Sequence, residues 1–217
     1  MRLLELYAGS RSIGKVAETI GFDVLSTDIM PAEGITRPGN ILAIPIDEWV
    51  AFKPDVIWAS PPCTSFSVAS IGHHWTGGKG AYIPKTDGAL IGLALMHRTL
   101  EIIEACSPKV WFIENPRGLM RKMPEMEALS RRETVTYCQY GDTRMKPTDI
   151  WTNCDEWTPR PMCKNGDLCH EAAPRGARTG TQGLKGAFDR SKIPPDLCME
   201  VMAAAKEAML LTTISNR

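Results

Sequence analysis

At 217 residues, with 43% apolar and 23% charged side chains, the chain has room for one α/β domain with a small attachment and hardly more. Its 25 Lys and Arg balance its 25 Asp and Glu, so any attraction to phosphate must come from local clustering. Seven cysteines, four of them far apart in sequence (Cys63, Cys106, Cys138, Cys198), argue against a secreted disulfide framework and for a reducing cytoplasm.

The first half alternates short apolar runs with helical stretches. Leu3 to Leu6 predicts a strand, with no basic n-region or cleavage site of a secretory leader around it. Ser12 to Ile20 reads as a helix, Asp23 to Ser26 as a second strand and Asp55 to Ala59 as a third. Leu90 to Ala105 is a further helix and Val110 to Ile113 a fourth strand. No apolar run approaches the ~18 residues that span a bilayer, so no membrane segment is expected. The alternation means a doubly wound, mainly parallel, Rossmann-like α/β sheet, which binds ligands beyond the carboxyl ends of its strands. Ala8-Gly9-Ser10, Asp28, Ser60-Pro61-Pro62-Cys63 and Glu114-Asn115-Pro116 each follow one of those strands, so four special segments converge on one rim.

At one end of that rim, Gly9 lets backbone approach a ligand, and a helix beginning at Ser12 offers unpaired N–H groups. Asp28 is placed to hold a ribose hydroxyl pair. A tight turn with no ligand fits as well, and the absence of a GxGxxG spacing gives a nicotinamide or flavin little support. At the other end, Cys63 stands directly after a rigid Pro-Pro, and Glu114 also closes an apolar run. A lone Cys is more often an inert buried residue and a lone strand-end Glu more often a solvated or capping one. Together, a thiol and a carboxylate on adjacent strand ends suit covalent attack with protonation of a ring nitrogen.

Glu5-Leu6-Tyr7-Ala8-Gly9-Ser10, Ser60 to Ser67, Glu114-Asn115-Pro116 and Tyr140-Gly141-Asp142-Thr143-Arg144 occur in one order and at one set of separations. That set resembles the DNA (cytosine-5) methyltransferase family over roughly Arg2 to Trp151, and the brevity of the chain is similar to its small phage-encoded members. The resemblance implies an S-adenosylmethionine-dependent methyltransferase fold and a definite chemistry. Cys63 would add to carbon 6 of a cytosine flipped out of duplex DNA while Glu114 holds and protonates N3. Arg144 and Lys146 would assist at the base or its flanking phosphate. Tyr7, Ala8, Gly9, Ser10, Asp28, Ile29, Asn40, Ile41 and Pro62 would line S-adenosylmethionine, and Asn115 and Ser67 the substrate. Val68 to Lys85, rich in Gly, would be a mobile loop over the base, with Lys79 reaching DNA. Three features depart from the family pattern: Arg11 stands where another Gly is usual, Asn40 (with Asp47 as the alternative) where an acidic residue is, and Arg144 to Thr148 matches a family arginine motif only in part, so that either Arg144 or Lys146 would hold its role. An RNA (tRNA) cytosine-5 methyltransferase and a non-catalytic, cofactor-binding DNA-binding protein are the alternatives.

From Thr152 to Lys192 the pattern breaks into Pro, Gly and basic residues, which predicts a small irregular recognition insertion between a catalytic part (1–151) and a returning C-terminal helix (193–217). Within 158–192, seven basic residues, Arg175 and Arg178 among them, face three acidic ones, a local charge of +4 suited to DNA. Cys154, Cys163, Cys169 and His170 supply four potential zinc ligands, but their spacing is not a C-x-x-C knuckle, and free thiols are the favoured reading. A monomer is expected, in a bacterial cell or carried by a phage.

Overall fold

The computed structural model describes residues 1–78, 81–171 and 186–215. Strand β1 (Arg2–Leu6) leads into helix α1 (Ser12–Thr19), followed by β2 (Asp23–Thr27), α2 (Ile46–Phe52) and β3 (Val56–Ala59). A one-turn helix α3 (Ile71–His74) and a hairpin of β4 (Trp75–Thr76) with β5 (Ile83–Pro84) precede the long α4 (Asp87–Cys106). Then come β6 (Val110–Pro116), α5 (Pro124–Glu127), β7 (Arg132–Thr136), β8 (Pro147–Thr152), α6 (Ala187–Ser191) and α7 (Pro195–Ser215). Among the described residues no helix is long and apolar enough to cross a membrane.

Six of these strands form the main sheet, in the order β2-β1-β3-β6-β8-β7. The first four run parallel, and β8 lies antiparallel between β6 and β7. Strands covered on both faces need near-continuous apolar sequence, and β1 and β3 meet that need with Leu3, Leu4, Leu6 and all four residues of β3 buried. Their alternation sorts the core. Leu3, Val56, Trp58 and Phe112 pack with Ile13 and Ala17 of α1 and Val201 and Ala205 of α7. Leu4, Leu6, Ile57 and Ala59 pack on the other side with Trp49 of α2 and Ile102 of α4. The result is a three-layer, doubly wound fold, as the alternation predicts.

Helix α4 begins where Thr86 Oγ1 accepts from the Ala89 amide at 3.2 Å, a side-chain cap. Its buried residues Ala89, Gly92, Met96, Thr99 and Ile102 recur every three or four positions, which lays one stripe on the sheet. The sheet order reverses at β1, since β2 lies to one side and β3 to the other. The crevice beyond their carboxyl ends is where such folds take ligands.

Besides the antiparallel strands β7 and β8, two features were not anticipated. Strand β6 runs on to Pro116, because β8 pairs Glu114 with Ile150 and Asn115 with Asp149, so both residues sit on the strand itself. The sequence predicts one loop over 68–85, whereas its described part carries α3 and the β4–β5 hairpin. Beyond Thr152, residues 153–171 form no helix or strand, yet Trp157 is buried edge-on to Phe112 with ring centroids 6.1 Å apart.

Candidate active site

The Pro-Pro-Cys loop leaves β3 beside the end of β1, where the Ser60 amide donates to the Leu6 carbonyl at 3.2 Å. Across the β3–β6 pair, Ala59 is level with Ile113, so the loop starts alongside Glu114. One buried hydrogen bond joins the two segments: Asn115 Nδ2 donates to the Pro61 carbonyl at 2.8 Å. The other side of the loop is clamped as well. The Leu119 amide donates to the Phe66 carbonyl at 2.7 Å and the Trp75 indole to the Ser65 carbonyl at 2.7 Å. Gly118 is required here, because a Cβ would come within 2.3 Å of the Phe66 carbonyl oxygen. Ser67 turns the chain into α3, its carbonyl accepting from the Ser70 and Ile71 amides.

Cys63 is half-buried in this frame. Burial pushes its thiol above the ordinary range and the Glu114 carboxylate adds to that. The Lys146 ammonium, and more weakly Arg190, pull it back. Thiol and carboxylate therefore share one electrostatic environment. Glu114 is buried, and the Tyr137 hydroxyl donates to its Oε1 at 3.1 Å. Burial, and then the same carboxylate, hold the Tyr137 phenol well above its usual range, which keeps it a donor. Lys146 lies 4.6 Å over the Tyr137 ring and donates to the Arg190 carbonyl at 3.1 Å. Arg144 is committed: its guanidinium pairs with Asp142 and donates to the Lys192 carbonyl at 3.2 Å, which ties residues near α6 to the turn after β7.

The second cluster sits at the ends of β1 and β2. Asp28 Oδ2 accepts from the Gly9 amide at 2.9 Å and Oδ1 from the Met30 amide at 3.0 Å. The Asp28 carbonyl accepts from Gly39, which brings Asn40 and Ile41 to the same corner. Gly9 has φ +51°, a conformation that suits Gly. Ser10 Oγ lies 2.8 Å from Ser12 Oγ at the head of α1. Ile29 stands 67% exposed beside the Asp28 carboxylate, an apolar surface next to an acceptor. Asn40 Oδ1 accepts from the Leu42 amide within its own turn. The Tyr7 hydroxyl faces away, donating to the Leu95 carbonyl of α4 at 2.9 Å, and burial pushes it up to about 12.

Comparison with known proteins settles the family. Residues 36–137 match the model of the C-5 cytosine-specific DNA methylases. The Frog virus 3 (isolate Goorha) protein named "Probable DNA (cytosine-5)-methyltransferase" is 30% identical over 219 residues, covering 93% of this chain and 99% of that one. The chain belongs to the C-5 cytosine-specific DNA methylase family. Among solved structures, the E. coli prophage protein named "putative DNA modification methyltransferase" matches with a TM-score of 0.54 at 13% identity, over 75% of this chain and 52% of that one. S. pombe Dnmt2 aligns with a TM-score of 0.49 at 17% identity, over 70% of this chain and 50% of that one. This C-5 methylase thus spans about half the length of the solved structures it matches.

In this family member the remaining candidates distribute unevenly. Ala8 lies in the β1 turn, its amide donating to the Thr27 carbonyl, and Pro62 is exposed next to Cys63. Lys79, Arg175 and Arg178 lie outside the described residues. Arg160, counted with the basic residues of the insertion, is turned inward onto Glu200 and Asp196 of α7. Cys154 requires a correction, because it lies apart from the other thiols: it is buried in the core with its Sγ 3.7 Å from Glu156 Oε2. Cys138 stands in its place, gathered with Cys163, Cys169 and His170. Sequence reasoning also missed Tyr137, whose partner Glu114 is 23 positions away and is reached only through the pairing of β6, β8 and β7.

Proposed function

We propose that this chain is an S-adenosylmethionine-dependent methyltransferase acting on carbon 5 of cytosine in DNA, with Cys63 as its nucleophile. The observation that carries the reading is the Asn115–Pro61 hydrogen bond, which sets the Cys63 loop beside Glu114 in one frame. Family membership supports the same reaction. A cytosine inside a duplex is out of reach of this crevice, so the base has to leave the stack, as for other enzymes that do chemistry on a base.

Cys63, as thiolate, forms a bond from Sγ to carbon 6, and the electron pair of the 5,6 double bond moves to carbon 5. The Glu114 carboxyl gives a proton to N3, so the ring carries no net negative charge. S-adenosylmethionine, when bound, supplies an electrophilic methyl group on its sulfonium. Once carbon 5 carries the methyl group, its proton leaves to a base, the N3 proton returns to the Glu114 carboxylate, and Cys63 is expelled as thiolate, which restores the ring. Tyr137 orients Glu114, and Asn115 fixes the loop and has Oδ1 buried with no protein partner among the described residues. Lys146 favours the Cys63 thiolate. Arg144 holds the turn that carries Lys146.

The β1–β2 corner fits the methyl donor by its chemistry. Asp28 offers carboxylate lone pairs beyond the two amides it already accepts, suited to ribose hydroxyls. Ile29 offers the exposed apolar face that a purine covers. Ala8, Gly9, Ser10, Asn40, Ile41 and Pro62 complete the lining, with Tyr7 contributing only its backbone because its hydroxyl is bonded to α4. Ser67, Lys79, Arg175 and Arg178 are assigned to the DNA, which a chain acting as a monomer would hold through its basic insertion.

The test is covalent capture. Duplex DNA bearing 5-fluorocytosine cannot release carbon 5 by proton loss, so it should trap the chain in an adduct that survives denaturation. The adduct should be absent in Cys63→Ala, while radiolabelled methyl groups from the wild type should enter ordinary duplex DNA. Adduct formation by Cys63→Ala, or label entering tRNA and not duplex DNA, would overturn the reading.

A further inference from the structure

We infer that Cys138, Cys163, Cys169 and His170 form a structural zinc site. It clips the irregular insertion to the turn that carries Tyr137. The four side chains come from two distant stretches of sequence. Cys138 follows β7, and the other three lie 25 to 32 residues further on.

Their ligand atoms all lie within 4.8 Å of one another. Cys169 Sγ is 3.7 Å from Cys138 Sγ and 3.7 Å from His170 Nδ1, and Cys163 Sγ is 3.8 Å from His170 Nδ1. A tetrahedron with Zn–S bonds of ~2.3 Å and a Zn–N bond of ~2.0 Å has S···S edges of about 3.8 Å and S···N edges of about 3.5 Å. The edges fit, with the Cys138–Cys163 pair somewhat closer at 3.1 Å and not bonded as a disulfide. The set is too compact for a multi-iron cluster, and three sulfurs with one imidazole in a closed tetrahedron is a structural zinc donor set. The two inner cysteines are buried, while Cys169 is exposed and gives the metal a way in. Gln139 Nε2 donates to Cys169 Sγ at 3.3 Å, a hydrogen bond that stabilises a thiolate ligand and fixes its direction.

The insertion gives the metal a physical reason. Residues 153–171 form no helix or strand, and Met162 and Leu168 are exposed. Around the cluster the chain is pinned by isolated polar contacts: the Cys163 amide to Thr136 Oγ1 at 3.0 Å and the Glu171 amide to the Thr143 carbonyl at 2.9 Å. Beyond Trp157 the segment, up to Glu171, has no helix or strand of its own, so metal binding adds to the folding free energy that holds it in place. The clip also has an address. Cys138 adjoins Tyr137, and Thr143 adjoins Arg144, so the metal braces the turn behind Glu114.

The test is elemental analysis of the full chain, expressed without a polyhistidine tag in zinc-replete medium and purified under reducing conditions. One zinc per chain is expected, released to a chromophoric chelator as an organomercurial titrates the thiols. Cys138→Ala and Cys169→Ala should each lower zinc content by about tenfold or more, and Cys154→Ala should keep it. Cobalt substitution should give the strong thiolate charge-transfer and tetrahedral ligand-field bands of a three-sulfur site. A metal-free wild type, stoichiometric iron or copper in place of zinc, or loss of zinc from Cys154→Ala with retention in Cys138→Ala would each overturn the assignment.

Discussion

Asn115 Nδ2 donates 2.8 Å to the Pro61 carbonyl, two residues before Cys63 and one after Glu114. The bond is buried and ties the loop after β3 to β6, so it holds together the two segments that carry the proposed nucleophile and acid. Asn115→Ala leaves the Pro61 carbonyl without its donor, at a cost of about 1–3 kcal/mol in stability by urea denaturation. Single-turnover methyl transfer should fall by about tenfold or more, because misplacing a nucleophile by a fraction of an ångström is enough. Asn115→Asp should be slower still, since it sets an acceptor against an acceptor in the same volume. An unchanged rate in both variants would mean that the loop holds its place without this bond.

The Tyr137 hydroxyl is the donor that the structure supplies to Glu114. Tyr137→Phe removes a single oxygen from a fully buried ring and should leave the fold, and the zinc content, intact. The carboxylate then lacks a partner whose loss costs about 1–3 kcal/mol, and the single-turnover rate should drop by about tenfold. DNA affinity, measured by fluorescence anisotropy at fixed salt, should change little. A fall in affinity with no fall in rate would relocate Tyr137 to the binding of DNA.

Cys63 is held above the ordinary thiol range first by burial and then by Glu114, with Lys146 opposing both. Only the thiolate alkylates, so labelling of Cys63 by iodoacetamide should rise about tenfold per pH unit through the neutral range. Removing the cation in Lys146→Met disfavours the thiolate and should move the profile to higher pH. Removing the anion in Glu114→Gln should move it to lower pH. Peptide mass spectrometry resolves Cys63 from the other six thiols. Shifts of the opposite sign would separate these charges from the sulfur.

The parallel half of the sheet was legible because doubly buried strands must be apolar, and Leu3 to Leu6 or Val56 to Ala59 can be little else. Strands β7 and β8 were not, because Arg-Glu-Thr-Val-Thr and Pro-Thr-Asp-Ile-Trp-Thr carry their polarity inside. Asp149 is buried there because Arg121 reaches it with two hydrogen bonds and the Thr134 hydroxyl with a third. That hidden pairing explains both missed site residues. Sequence distance set Cys138 apart from the insertion cysteines, whereas the β7–β8 pair and the chain returning after it bring them together. Cys63 and Glu114 were easier to find, since Cys63 follows β3 and Glu114 comes directly after the apolar run of β6.

Arg11 occupies the position where the family pattern has Gly, and it keeps the left-handed backbone, at φ 55°, that a Gly would adopt freely. Its side chain is what compensates. It is buried against Glu5 with Nε 3.9 Å from Oε2, donates to Ser26 Oγ at 3.1 Å and pairs with Glu18. Glu5 is itself pushed above the ordinary carboxylate range by burial, against the pull of the Ser26 hydroxyl, the Gly14 amide and Arg11. Arg11→Gly relieves about 1 kcal/mol of backbone cost but leaves a buried carboxylate without its cation, a loss of about 3–5 kcal/mol. The loss needs Glu5 ionised. A carboxyl whose folded pKa is raised favours the folded state most at low pH, and that contribution is lost as pH rises through the folded value. Without Arg11 the folded value rises further. The variant should therefore lie near wild type in acid and fall progressively below it toward neutral pH, in urea denaturation at about pH 4 and about pH 8. A variant as stable as wild type at the higher pH would show that Arg11 contributes nothing but strain.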